Sequence, residues 1–364
     1  MLTVTTLNVY FAKRFALWIV GLFIGCTLLI LLVDMLEVLK RAGEREEFSL
    51  LGALLLSLFR VPSLSEQVLP FATLFGSMIS FLALSKRLEL VVARSAGVSV
   101  WQFLAPAVFV ALVIGLLAIL VYNPIAGSLK AWSDDLAVEY LGDQRQSLLQ
   151  TRERVWLRQD SPDGEAIISA GLATNDGLVL KDVTIISFTE DGRYSERVEA
   201  AEARLGDKRW DVSDATVYVK GLVPHHYDHY IVSTYLGPEE VKENFADPET
   251  LSIWQLNGFI LVAERAGLPT HRYILQFQSL LARPLLLASM VLIAGVVSLG
   301  FARFGGMAPL IFGGVISGFM LYVATEVTSD LGSAGTISPV VAAWSPGVIA
   351  TLLGVTFLLH REDG

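Results

Sequence analysis

The sequence predicts an α-helical integral membrane protein with six transmembrane helices and an inserted all-β domain, a sandwich or jelly roll. Three observations carry this. Only 17% of the 364 residues are charged and 53% are hydrophobic, with a mean hydropathy of +0.57, whereas soluble domains carry about a quarter charged residues. Apolar runs long enough to cross about 30 Å of hydrocarbon occur three times before and three times after a central polar block. That block consists of short segments rich in Val, Ile, Tyr and Phe, separated by turn signals. It also holds most of the acid behind the net charge of −9, while the segments flanking the apolar runs lean basic.

In chain order, Leu7–Arg14 reads as an interfacial helix leading into a first span at Phe15–Leu36, with Asp34 and Glu37 at its far end. The run is too long for a cleavable signal, and no small-residue cleavage site follows it. The mixed-charge segment Lys40–Glu47 comes next, then a helix that Ser49 can cap and Pro62 interrupts. The second span is Leu64–Leu84. Glu66 and Gln67 near its end are unusual for a lipid-facing surface and point to a bundle interior or cavity. Trp101–Tyr122 is the third span, closed by Asn123-Pro124. These elements make a first region, 1–123.

The region 124–270 holds the β insert. Arg154–Leu157, Ala166–Ser169, Leu178–Phe188, Val198–Leu205 and Thr216–Val219 read as strands, with turns at Asp163-Gly164, Asn175-Asp176-Gly177, Asp191-Gly192 and Gly206-Asp207. Strands without intervening helices argue for the all-β class. An amphipathic helix, Leu251–Ala266, follows and ends at Gly267-Leu268-Pro269. The region 271–364 holds spans four to six: Ile274–Phe301, Pro309–Thr328 with Gly313, Gly314 and Gly318 for close packing, and Val340–Leu359.

Orientation follows from the short connectors. Lys13/Arg14, Lys86/Arg87/Arg94, Arg303 and Arg361 fall on one side, which the positive-inside rule places in the cytoplasm and which puts the β insert outside the inner membrane. The connector Lys86–Ser99 is itself helix-like over 86–98. Leu88, Val91, Val92 and Ser95/Ala96 recur at helical spacing, and Gly97 can end it. From charge alone it is at least a topology marker.

Motif chemistry is sparse. GxxxxGK[ST], HExxH, GxSxG and CxxC are all absent, so the chain brings no nucleotide site or hydrolase signature of its own, and active transport would draw energy from another chain or an ion gradient. Cys26 is the one cysteine, which excludes an intrachain disulfide and a cysteine cluster. His225, His226 and His229 beside Asp228 read either as metal ligands or as exposed residues of a turn between strands. Glu326 reads as an interfacial acid or a proton relay. Lys40 and Arg41 suit an amphiphile with anionic head groups, because guanidinium forks match phosphate oxygens. They equally suit a solvated loop paired with Glu44, Glu46 and Glu47.

The run VPSLSEQVLPFATLFGSMISFLALSKRLELVVARSAGVS, with KRAG at Lys40–Gly43, the three-plus-three layout and Pro339 and Pro346 in the last span, resembles the lipopolysaccharide export permease family LptF/LptG (YjgP/YjgQ). The likeness covers nearly the whole chain. ELVV at Glu89–Val92 with Gly97, together with KRAG, is closer to the LptG branch than to the LptF branch. The resemblance implies a permease that pairs with an LptF-like subunit and takes lipopolysaccharide from the inner membrane through a lateral gate. It passes the lipid on through a periplasmic β-jelly-roll domain to an LptA-like bridge, with an LptC-like single-span protein in the complex. It implies no cofactor in this chain; ATP and Mg would be used by a separate LptB-like ATPase dimer. It implies that the helix at 86–98 is a coupling helix, with Glu89 entering the ATPase groove and Arg94 beside it, and that Lys40 and Arg41 face lipid A phosphates. Leu31 and Leu32 stand where the family can carry a further lysine, and Ser63 where a basic residue can follow Val-Pro.

Two other classes compete. A non-transporting scaffold displaying a β-domain would not need the coupling stretch. An ion-driven transporter would need mid-membrane acid or histidine relays, of which the spans hold almost none.

Overall fold

The structure is a computed structural model and describes residues 2–42, 50–89, 92, 95, 97, 99–141, 155–161, 164–174, 178–189, 193–219, 221–235, 248–265, 270–301 and 307–362. The chain divides into two compact units: Met1–Leu136 with Pro248–Leu261 and Pro269–Gly364, and Ala137–Asp247 with Val262–Leu268.

The first unit is helical, and among its described residues six stretches are long and apolar enough to cross a membrane: Thr6–Lys40, Leu69–Lys86, Val100–Asp134, His271–Ser298, Ile311–Ser333 and Pro339–His360. Helix α1, Leu2–Ala42, is continuous. The expected interfacial helix and first span are therefore one element, because nothing between Arg14 and Phe15 breaks helical geometry. Helix α2, Leu50–Glu66, runs through Pro62, contrary to the expected interruption there. The break falls at 67–68, before α3, Leu69–Lys86. Pro70 accounts for it: its ring clashes with the carbonyl four residues back, that of Glu66.

Helix α4, Val100–Leu117, opens on a capping box in which Gln102 N donates to Ser99 Oγ and Ser99 N donates to Gln102 Oε1. Asn123-Pro124 does not close this span. A π-helical turn, Ala118–Tyr122, carries the chain into α5, Asn123–Leu141. The Asn123 amide donates to Ala118 O, five residues back, and the wider turn lets Pro124 in without ending the helix. Helix α6, Ile253–Arg265, is amphipathic as expected, burying Ile253, Leu256, Phe259 and Ile260. Helices α7, His271–Phe301, α8, Met307–Ser333, and α9, Pro339–Glu362, complete the unit.

The core forms where α1, α3, α4 and α7 meet, around Phe15, Ile19, Leu74, Phe81, Phe103, Leu104, Leu287 and Val291. Phe15 and Phe81 meet edge to face with centroids 4.8 Å apart. Backbone contact sets the α1–α3 spacing: a Cβ on Gly76 would lie 2.7 Å from Ile19 Cα. The glycines of the fifth span act as expected, since Cβ atoms on Gly314 and Gly318 would collide with Met78 and Leu74 of α3. Apolar side chains of α1, α8 and α9, among them Leu17, Leu29, Val33, Phe312, Met320 and Leu352, remain exposed, as suits helices solvated by lipid or by partner helices.

The second unit holds a six-stranded antiparallel sheet in the order β1-β2-β3-β4-β5-β6. Its strands are β1, Val155–Ser161; β2, Gly164–Thr174; β3, Val179–Phe188; β4, Tyr194–Leu205; β5, Arg209–Val219; and β6, His225–Ser233. The inserted all-β domain is thus present. Among the described residues its connectivity is a meander, every strand pairing with its sequence neighbour, without the Greek-key crossing of a jelly roll. Alternation places Ile168, Val183, Ile185, Val198, Trp210, Val212 and Val217 in its core. Asp182 and Asp214 have positive φ and drop out of the ladder. The residues facing them on the neighbouring strands drop out as well, so the register is kept while the inward face shifts by one residue, bringing Val183 and Ala215 into the core. Trp210 is fully buried and donates through Nε1 to Gln159 Oε1 at 3.0 Å, the same oxygen that accepts from Thr234.

Candidate functional site

Three groups of polar residues stand out in the helical unit. The first is the connector after α3. Arg87 and Leu88 form a turn, with Leu88 at φ 59, and the described residues Glu89, Val92 and Ser95 are helical. Gly97 is in the left-handed region at φ +83, as a helix-ending glycine is. Leu88 and Val92, read from the sequence as part of an apolar face, are 62% and 65% exposed. Glu89 is engaged: Tyr10 OH donates to its Oε2 at 3.1 Å and Oε1 at 3.3 Å, and Arg14 Nη1 reaches Tyr10 OH at 3.5 Å. The start of α1 is therefore part of this site, which the sequence did not reveal because 79 residues separate the partners. Val91, Arg94 and Ala96 lie outside the described residues.

The second group is at the other end of α1. Lys40 is exposed in its last turn; Arg41 lies in the same turn, its side chain outside the described residues, as is the loop with Glu44, Glu46 and Glu47. Two turns earlier, the buried Asp34 carboxylate meets Arg60 Nη1 of α2 at 3.6 Å, and Asp34 Oδ2 is buried without a hydrogen-bond partner among the described residues. Arg60 was not singled out by the sequence. It sits two residues before Pro62, one turn from Ser63, where the family can carry a basic residue, and its side chain is 41% exposed. Of the two leucines, Leu32 is exposed and Leu31 half-buried.

The third group is internal. Arg283 of α7 pairs with Glu66 through Nη1–Oε2 at 2.5 Å. Asn123 Nδ2 donates to Glu66 Oε1 at 3.3 Å, while Asn123 Oδ1 accepts from Ile253 N at 3.2 Å. Beside it, Ser65 Oγ and Tyr122 OH are 2.5 Å apart. Glu66 thus lies in the bundle interior, as its sequence position suggested. Gln67 is exposed, because the break after α2 turns it away.

The remaining candidates are surface residues. His225, His226 and His229 are on strand β6, not in a turn. His226 Nε2 lies 3.4 Å from Asp214 Oδ1 and 3.9 Å from Asp228 Oδ1, and no group of three or more metal-ligating side chains forms among the described residues. Glu326 is exposed on α8 and accepts from Tyr322 OH one turn earlier at 3.2 Å.

The six apolar helices found among the described residues, with the inserted β domain, define a multi-pass membrane protein. The comparisons then fix the family. The family model for the lipopolysaccharide export system permease LptF/LptG matches residues 9–360, and the chain belongs to that family. It is 26% identical over 340 residues to the lipopolysaccharide export system permease protein LptG of Escherichia coli strain K12, covering 91% of each chain. It is 22% identical over 333 residues to the LptG of Haemophilus influenzae, covering 88% of this chain and 89% of that one. The protein is a multi-pass inner-membrane permease of lipopolysaccharide export.

Proposed function

We propose that this chain is the LptG-type subunit of an ABC transporter that extracts lipopolysaccharide from the inner membrane and delivers it to a periplasmic bridge. Its partners on this reading are an LptF-like permease, an LptB-like ATPase dimer that uses ATP and Mg, an LptC-like single-span protein and an LptA-like bridge. The β insert faces the periplasm, where the edges β1 and β6 offer strands for pairing.

The observation that carries this reading is the connector. Leu88 and Val92 are exposed beside Glu89, whose carboxylate is oriented by Tyr10. A short helix presenting apolar side chains around one fixed acid is suited to insertion into a partner's groove. Placed between α3 and α4 in the chain, it can transmit what the partner does into two spans. Arg94 adds a cation to the same stretch. At the other end of α1, Lys40 and Arg41 meet lipid A phosphates, and Arg60 extends the basic surface by two turns.

Co-expression with candidate ATPase and partner permease genes, purification through this chain, and mass spectrometry of bound lipid test the reading. The expected result is one complex carrying lipopolysaccharide. Purification of this chain with β-domain partners but neither ATPase nor lipid would favour the scaffold.

A further inference from the structure

Three helix boundaries and one helix-interior proline meet at the Glu66–Arg283 pair. Helix α2 ends at Glu66, the π-helical turn ends at Tyr122, α6 begins at Ile253, and α7 carries Pro284 next to Arg283. The backbones are also in contact here: a Cβ on Gly115 would lie 2.6 Å from Pro284 Cα. Each of these points interrupts the regular i→i−4 ladder and can serve as a bending point. Such points concentrated at one level would let the segments beyond them swing independently.

The polar side chains oppose that. Glu66 and Arg283 are 10% and 17% exposed as side chains, and Asn123 is 3% exposed. Burying a charge pair is not an efficient way to hold helices together, since apolar residues of the same size serve at least as well. What directional groups add is a single allowed geometry. Glu66 reaches α7 through one oxygen and Asn123 through the other, and Asn123 passes the connection to the first amide of α6. Helices α5 and α6 are the segments by which the chain leaves for and returns from the β insert. The two segments are fastened again elsewhere: Lys130 Nζ meets Glu249 Oε2 at 2.8 Å, and a Cβ on Gly127 would lie 2.9 Å from Thr250 O. Ser133 Oγ donates to Leu56 O of α2 at 3.2 Å.

We propose that Glu66, Arg283 and Asn123 form a pin that makes the adjoining ends of α2, α5 and α6 and the middle of α7 move as one body. Bundle motion then reaches both roots of the β insert instead of being absorbed at the helix breaks. The consequence for transport rests on the permease reading above; the rigidity does not. These are positioning residues, with no contact to lipid or nucleotide required of them.

The test uses the full chain assembled with its ATPase and partner permease in lipid, with Cys26→Ser and spin labels at the exposed positions Asn257 on α6 and Leu281 on α7. Two variants are compared with the parent. Asn123→Ala leaves the charges paired but cuts the tie to α6. Glu66→Leu with Arg283→Met removes both charges, so that neither is left buried alone. Both are expected to assemble, to broaden the label-to-label distance distribution, and to lower lipopolysaccharide released per ATP about tenfold. A merely structural pair predicts that the doubly apolar variant couples like the parent. Unchanged distance distributions in both variants, or parental release per ATP in the double variant, overturn the pin. If the parent complex itself releases no lipopolysaccharide, the permease reading fails, and the distance distributions alone decide the pin.

Discussion

Tyr10, near the start of α1, donates its hydroxyl to Glu89 at 3.1 Å, across the connector between α3 and α4. The same helix ends at the Lys40 turn, 30 residues further on, or about 45 Å at 1.5 Å per residue. One continuous helix therefore reaches both candidate sites.

Glu89→Ala is expected to abolish association with the ATPase or to leave ATP hydrolysis running without lipid release. Tyr10→Phe keeps the acid and loses only the donor that orients it, so its effect should be smaller, roughly two- to fivefold in release per ATP. Arg14→Ala should do less again, because its contact is at the 3.5 Å limit. Co-purification and coupled ATPase–release assays check the order. A Glu89→Ala complex that assembles and couples normally would refute the coupling role and favour the scaffold.

At the far end of α1, Lys40→Glu with Arg41→Glu should lower lipopolysaccharide retained by the purified complex about fivefold or more, since charge-assisted contacts to phosphate are lost. Acids in a final helical turn also oppose the helix dipole. Lys40→Gln with Arg41→Gln controls for that and should show an intermediate loss at full assembly. Retention unchanged in both variants sinks the phosphate contact.

The architecture was legible because its signals are local. Twenty-residue apolar runs and strand-length segments between glycine turns each report on their own neighbourhood. The errors have equally local causes. Pro62 and Pro124 both look like helix ends, yet Pro62 costs α2 no break, and a π-helical turn accommodates Pro124. HHYDH looks like a turn because its side chains are polar, but it is the first half of strand β6, where both faces are exposed and no apolar alternation is required. Glu66 announced itself as an acid in an apolar run. Its partner Arg283, 217 residues away, could not be paired with it without the fold. The same holds for Arg60 with Asp34 and for Tyr10 with Glu89. A likeness to relatives favoured the phosphate reading of Lys40 and Arg41 and brought forward Glu89, but not Tyr10, which holds Glu89.

The Asp34–Arg60 pair predicts an asymmetry. Arg60→Ala leaves a carboxylate buried at 6% side-chain exposure without its cation, and should destabilise the complex by about 1–3 kcal/mol, less than a fully buried pair because Arg60 is partly solvated. Asp34→Asn removes the charge that needs compensation and should cost under about 1 kcal/mol. Asp34→Asn with Arg60→Ala should recover most of what Arg60→Ala loses. Thermal unfolding of the purified complex measures all three. Equal losses for the two single variants would mean that the carboxylate is already neutral or solvated.

The spacing of α1 from α3 offers the last prediction. At Gly76 an added Cβ would meet the Ile19 backbone, at 2.7 Å from Cα and 2.9 Å from N, and backbone cannot rotate aside as a side chain can. Gly76→Ala should therefore push α1 outward and cost about 1–3 kcal/mol, with Gly76→Leu worse. Gly21 and Gly25, on the same helix, have nothing within 4 Å of an added Cβ, so Gly21→Ala should be neutral or slightly stabilising by about 1 kcal/mol through helix propensity. Because α1 carries Tyr10 at one end and Lys40 at the other, its displacement should impair ATPase coupling and lipid retention together, although Gly76 lies in neither site. Measuring both losses in Gly76→Ala, with Gly21→Ala as the control, tests whether the helix acts as one body. If only one of the two activities falls, α1 bends between its ends, and the two sites are positioned separately.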